Sequence, residues 1–340
     1  MARMAVIALV AGALLSGWAK DGFRWRIDAA DEMCRPPTEE AESMGGLAWV
    51  SNDVYWAVTD EKSRTVLWEL ELPVARDTGK IGGCRLRMMC RVEGTVDVEG
   101  LVRDPLDGSA WLADERAGTI TQHDPATGRM LAGRVQMPET MKDIYRDSGL
   151  ESLTISRDGL TMWTCTEEAL KTDGARASRE NGTDVRLTRF ARSSAAANWK
   201  AIGQWVYRTD SVAGRPWYGK KRRNLSRSGI SELCLLDDGT LLVLEREFSV
   251  VMIPRLRCRI YETDLTGAED VCGRKSLLDG GKAPTLVEKR LLHEVTGLAM
   301  YEGMCIGPTL TDGSRLLVLV SDGDMRTLQS VLTLRLAPLK

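Results

Sequence analysis

The stretch EGLVRDPLDGSAWLADER, from Glu99 to Arg116, decides how the rest of the chain is read. An acid opens a short apolar run, an Asp-Gly pair makes a turn, and a second apolar run closes on Asp114, Glu115 and Arg116. Apolar runs on either side of an Asp-Gly turn predict a β-hairpin. The same unit recurs as GGLAWVSNDVYWAVTDE at Gly45–Glu61 and ESLTISRDGLTMWTCTEE at Glu151–Glu168. It returns as ELCLLDDGTLLVLERE at Glu232–Glu247 and EGMCIGPTLTDGSRLLVLVSDGD at Glu302–Asp324. Gly108, Gly159, Gly239 and Gly313 stand at the turns, and Trp56, Trp111 and Trp163 hold matching places in the second strands, where they are expected to pack between sheets.

The units open at positions 46, 99, 151, 232 and 302. The first spacings suit a four-stranded propeller blade of roughly 40 to 50 residues, and the longer ones predict insertions. Residues 171–228, with KTDGARASRENGTD and the basic run WYGKKRRN, are expected to be one. The fold class is therefore all-β, a β-propeller of five to six blades with six favoured. The sixth blade would hide in the long gaps or be completed by both termini, with Phe23–Ile27 beside Thr327–Leu336. A β-sandwich accounts less well for matched pairs of strands.

The chain has 340 residues, 43% of them hydrophobic, enough for a large core. Basic residues number 46 against 48 acidic ones, a balance that excludes a general nucleic-acid binder. Residues 1–19, MARMAVIALVAGALLSGWA, place Arg3 before an apolar run and small residues, the layout of a secretory signal peptide. The expectation is a periplasmic or secreted protein, with residues 20–340 forming one propeller domain, monomeric, with no membrane span after cleavage. Eight cysteines in an oxidising compartment predict disulfides. Cys84 with Cys90, and Cys258 with Cys272, are the local pairs. Cys34, Cys165, Cys234 and Cys305 allow three pairings that sequence does not separate.

Each unit carries acids at the start of its first strand and the end of its second, and a hairpin brings those two ends to one rim. The acids expected there are Asp60, Glu61, Glu99, Asp114, Glu115, Glu151, Glu167, Glu168, Glu232, Glu245, Glu302 and Asp322. So many carboxylates repel unless neutralised, and Ca²⁺ favours several oxygen ligands in a flexible shell. The expected metal ligands are Glu99, Glu115, Glu151, Glu167, Glu232, Glu245, Glu302 and Asp322, with Arg116 and Arg246 beside them as alternative neutralising charges. Acids at strand ends also cap loops without any catalytic role.

Three segments, ESLTISRDGLTMWTCTEEAL, ISELCLLDDGTLLVLEREFS and YEGMCIGPTLTDGSRLLVLVSDGD, resemble the phytase-like "esterase-like activity" family of exported bacterial proteins. The resemblance spans roughly residues 40–336, and LLVLEREFS and the closing EGM…LVSDGD are its strongest parts. The family's final motif often has Asn after the acid, where this chain has Gly323 after Asp322. The resemblance implies a propeller related to calcium-dependent phytases, which hydrolyse phosphate monoesters. On that implication a small anionic phosphate ester is the substrate and calcium the cofactor. Arg116 and Arg246 hold the phosphate, and Glu168 or Glu247 is the general base. Lys171 and the Lys220–Arg223 run would attract a polyanion or form solvated basic loops.

Other hydrolytic machinery is missing. The chain has no Gly-x-Ser-x-Gly elbow, no HExxH motif and no Walker loop. No cysteine is followed six positions later by arginine. His123 is expected in an exposed turn and His293 in a polar loop. A non-catalytic propeller that binds a partner at the same mouth, and a lactonase-type propeller using one divalent cation, are the alternative readings.

Overall fold

A computed structural model describes residues 22–35, 44–59, 65–95, 97–145, 147–213, 227–250, 254–279, 281–297, 299–322 and 329–339. All five hairpins read from the sequence are present, and each grows into a four-stranded antiparallel sheet. Blade 1 is β2 (Met44–Ser51), β3 (Val54–Thr59), β4 (Val66–Glu71) and β5 (Arg85–Arg91). Blade 2 is β6 (Val98–Arg103), β7 (Ala110–Asp114), β8 (Thr119–His123) and β9 (Met130–Gln136). Blade 3 is β10 (Thr154–Ile155), β11 (Thr161–Thr164), β12 (Asp184–Ala191) and β13 (Trp199–Arg208). Blade 4 is β14 (Arg227–Leu235), β15 (Leu241–Val250), β16 (Pro254–Asp264) and β17 (Glu288–Gly297). Blade 5 is β18 (Met300–Thr309), β19 (Arg315–Asp322) and β20 (Gln329–Pro338), completed by β1 (Trp25–Arg35).

The first strands of the blades touch in the cyclic order β2, β6, β10, β14, β18 and back to β2, so the described residues form a closed ring of five blades. The expected pairing of the two chain ends is found, but it completes the fifth blade and not a sixth. The long gaps go elsewhere. Residues 171–228, expected as an insertion, supply β12 and β13 and so finish blade 3, while WYGKKRRN with Lys220–Arg223 lies outside the described residues. Blade 4 spends its length on strands of 9 to 11 residues. Blades 2 and 3 are further joined by a short parallel pairing of β9 with β13, Trp199 opposite Val135.

The core consists of five apolar layers, one at each junction between blades. Trp56 packs against Leu101 and Leu112 of blade 2, and Trp111 against Leu153 and Phe190 of blade 3. Trp163 packs against Ile230 and Val243 of blade 4. The repeated tryptophan thus faces the next blade each time, as core packing requires; removing a buried indole such as Trp111 costs about 3–5 kcal/mol. Blades 4 and 5 meet through Leu244, Tyr301 and Leu319, and blades 5 and 1 through Val318 and Leu70.

The repeat has a local cause as well. At the turns Asp107, Asp158, Asp238 and Asp312 each accept the N–H two residues on, and Gly108 and Gly239 adopt φ of +76° and +87°. Near the axis, a Cβ on Gly100 would lie 2.8 Å from the Ser152 backbone, and one on Gly303 would collide with Gly45 O. Five narrow blades close only because their inner strands touch through glycine.

Several local expectations change. No disulfide links the described cysteines. Cys84 and Cys90 are separated by an almost fully extended chain, about 20 Å at strand rise, and pack in different layers, far beyond disulfide reach. Cys258 is buried in β16 with Sγ accepting the Tyr301 N–H, whereas Cys272 stands in the loop whose Asp270 accepts the Gln204 N–H. His123, expected in the open, is buried at the end of β8, with Nε2 2.9 Å from Thr121 Oγ1. Burial pushes its pKa down. His293 belongs to β17, opposite Ile260, and not to a loop. No helix among the described residues is long and apolar enough to cross a membrane.

Candidate functional site

Strand pairing explains how acids reach one opening. In blade 2 the register runs from Val98 opposite Asp114 to Gly100 opposite Ala113, so Glu99 is the extra residue of a β-bulge. In blade 5 it runs from Tyr301 opposite Ser321 to Gly303 opposite Val320, so Glu302 is extra in the same way. Bulges re-aim a side chain out of the ladder. In blade 3, Glu151 stands three residues before β10, and Glu167 three residues after β11. Glu115, just past β7, accepts the Gly149 N–H at 3.1 Å, which ties blade 2 to blade 3.

Arg246 of β15 stands among these acids. Its Nη2 lies 2.9 Å from Glu151 and 3.1 Å from Glu167, and its Nη1 pairs with Glu302. Arg116 pairs through Nε with Asp97. Two carboxylate triplets have oxygens within 4.8 Å of one another: Asp97, Glu99 and Glu115, then Glu115, Glu151 and Glu167. Six acids therefore meet two guanidinium groups. Burial, together with neighbouring Asp97 and Glu167, pushes Glu115 up to about 8. Burial also holds Glu151 well above the usual carboxylate range, against the pull of Arg246. Although burial opposes its charge, Arg246 is held firmly protonated by Glu302, Glu167 and Glu151.

Of the eight expected metal ligands, the structure brings together Glu99, Glu115, Glu151, Glu167 and Glu302. Asp322 is half-buried at the same end, in register with Met300, whose sulfur is 3.9 Å from Arg246. Glu232 and Glu245 lie apart. In blade 4 the bulge falls between Ile230 and Glu232, so Ser231, not Glu232, matches Glu99 and Glu302. Glu232 is fully buried, accepting N–H groups of Leu153 at 3.1 Å and Leu233 at 3.0 Å, and burial pushes its carboxyl well up.

Glu245 and Glu247 project from the face of β15 opposite to Arg246. Glu245 accepts from Tyr207 (2.7 Å), Lys289 (2.6 Å) and the Asp210 N–H (3.0 Å). Glu247 accepts the Ala213 N–H and sits 3.4 Å from Arg259. Both are taken up in a network that braces blade 4 to the loop after β13. Glu168 is buried beside Glu167, held by Arg176 at 3.0 Å and Ser148 at 3.0 Å, and its Oε1 makes no hydrogen bond. Burial and Glu167 raise its pKa. Asp114 caps the turn at Ala117, Lys171 lies over the Tyr145 ring, and Asp60 and Glu61 fall outside the described residues.

Asp97 was missed from sequence, because it stands just ahead of β6 and outside the acids that open and close each hairpin. The donor set of the mouth is entirely carboxylate oxygen, without His or Cys among the described residues of either triplet. That chemistry fits a hard cation such as Ca²⁺ better than a soft one.

Fold comparisons return other proteins at low identity. Virginiamycin B lyase from Staphylococcus aureus is 10% identical, with 90% of this chain and 99% of that one covered and a TM-score of 0.36. The PQQ-bound aldose sugar dehydrogenase from Streptomyces coelicolor is 13% identical, with 89% and 82% covered and a TM-score of 0.36. No curated protein sequence matches. A family profile does, over residues 40–325, which include the five hairpins and every carboxylate of the mouth. The chain belongs to the phytase-like family described as "esterase-like activity of phytase".

Proposed function

We propose that the protein is an exported hydrolase of small phosphoric esters, working at the acidic mouth with a divalent cation, calcium by the hardness of the donors. Asp97, Glu99 and Glu115, with Glu151 and Glu167, would hold the cation. When bound, it supplies positive charge for phosphate oxygens and a water of lowered pKa. Arg246 is the guanidinium placed to donate to phosphate, and the half-exposed Arg116 is the second. Glu168 has one buried oxygen without a partner and a raised pKa, properties that suit a proton acceptor. Residues 1–19 would direct the chain to the periplasm or beyond, where it would act as a monomer.

The observation that carries this reading is Glu115, shared by both carboxylate triplets. The test is phosphate release from a panel of phosphomonoesters by chelator-stripped protein, with and without added calcium. Calcium-dependent release supports the proposal, and absence of release across the panel overturns it. The bracing of three acids by Arg246 favours a second reading, a propeller that binds a partner at its mouth without catalysis. Calcium would then raise the melting temperature but release nothing. Hydrolysis of cyclic esters alone would instead point to lactonase chemistry.

A further inference from the structure

The end of the propeller remote from the acids holds a cavity of about 260 Å³. Every blade contributes a wall: Trp49 from blade 1, Leu101 from blade 2, Leu153 from blade 3, Leu235 from blade 4 and Met304 from blade 5. These are the continuations of the inner strands, three of which (β6, β10 and β18) carry Glu99, Glu151 and Glu302 at or just before their starts. Glu232 lies at the boundary, bonded to the N–H of Leu153, so the cavity is separate from the mouth.

Its rim has the opposite charge. Arg103, Arg157 and Arg315 come from blades 2, 3 and 5, and Asp237 is the one carboxylate among the lining residues. Asp237 is shared, 2.6 Å from Arg315 and 3.5 Å from Arg157. Arg103 makes no ion pair among the described residues and leans over the Trp56 ring at 6.0 Å. Arg315 is mostly buried, and its Nε is enclosed without a hydrogen bond. A buried donor left unmade is costly, and three arginines against one aspartate leave the rim with net positive charge.

We propose that this cavity is a second ligand site, which takes a small organic anion with an apolar body, a carboxylate of medium chain length. The alkyl part lies between Leu101, Leu153 and Met304, and the carboxylate accepts from Arg315 and Arg103. The apolar walls exclude a bare inorganic anion, which gains nothing from them. The charged rim disfavours a neutral lipid, which leaves the guanidinium groups unanswered.

Octanoate is the probe, titrated calorimetrically into the full chain, with octanol as its neutral counterpart. Octanoate is expected to bind at least about tenfold more tightly than octanol, and equal binding or none overturns the proposal. Arg103→Met and Arg315→Met should each weaken octanoate by about tenfold. Arg103 makes no ion pair among the described residues, so its variant keeps the test open if Arg315→Met fails to fold. Octanoate brominated at its terminal carbon should quench emission from the wild type but lose that part of the quench in Trp49→Phe. An unchanged quench would place the ligand elsewhere and sink the assignment. Glu115→Gln should leave octanoate affinity unchanged, whereas a loss there would mean that the ligand occupies the mouth.

Discussion

The two ends of the propeller axis are built from the same five strands yet differ in nearly every physical respect. At the start of those strands, β-bulges and strand ends push Glu99, Glu151 and Glu302 inward, and Arg246 holds three acids at once. At their far end the walls are aliphatic, and arginines outnumber acids at the rim. About four residues of strand, roughly 13 Å, separate Glu99 from Arg103. The fold therefore fixes where side chains gather, while the residue at each strand end decides the chemistry. One end concentrates carboxylates around shared guanidinium groups, and the other concentrates positive charge over a greasy floor.

The strongest attack on that contrast is Arg246→Met. It leaves Glu151, Glu167 and Glu302 without their shared partner and should cost about 3–5 kcal/mol in urea unfolding. Calcium should return part of the loss, because a cation can take up the charge that Arg246 carried. A cost below about 1 kcal/mol, the level of an exposed pair, would mean that the mouth is no more strained than an ordinary surface. Next comes Glu115→Gln, expected to weaken calcium binding by about 100-fold in calorimetry. Unchanged affinity would remove the cation from this end.

A pH series sharpens the comparison further. Glu115 ionises near 4.5 in an unfolded chain but at about 8 when folded. Between those values the folded state keeps a proton that the unfolded state has lost. Its contribution to stability is fully present below pH 4.5 and gone by about pH 8 when no metal is bound. Calcium must expel that proton, so its affinity should climb with pH and level off near 8. A calcium affinity flat across this window would take Glu115 out of the ligand set. The smallest effect belongs to the opposite end. Arg103→Met should change stability by no more than about 0.5 kcal/mol, and a larger loss would show that the basic rim braces the fold.

Much of this was legible in the residues. The Asp-Gly turns and matched tryptophans marked all five hairpins, and the pairing of the two termini followed from their patterns. Blade number did not, because residues 171–228 look like a loop until β12 and β13 are seen to pair. Glu245 and Glu247 were expected at the mouth with Arg246, yet alternation along β15 turns both to the opposite face. Glu232 was misjudged for a subtler reason. A bulge shifts the strand by one residue, and hydrogen-bond register, not spacing, shows that Ser231 holds the position equivalent to Glu99. Asp97, just ahead of β6, carried no such signal, because the bulge at Glu99 breaks the alternation that would have linked the two.

The clasp formed by β1 and β20 sets the order of assembly. Arg26 reaches the Pro338 carbonyl across 312 residues. Drawing such distant segments together costs about 5 kcal/mol of chain entropy, and contacts of this range form late. Glu302 belongs to the blade that this clasp finishes, so its ion pair with Arg246 waits for the two ends to join. A nascent polypeptide would thus carry the acids of blades 2 and 3 well before the fifth blade shuts the ring beside them.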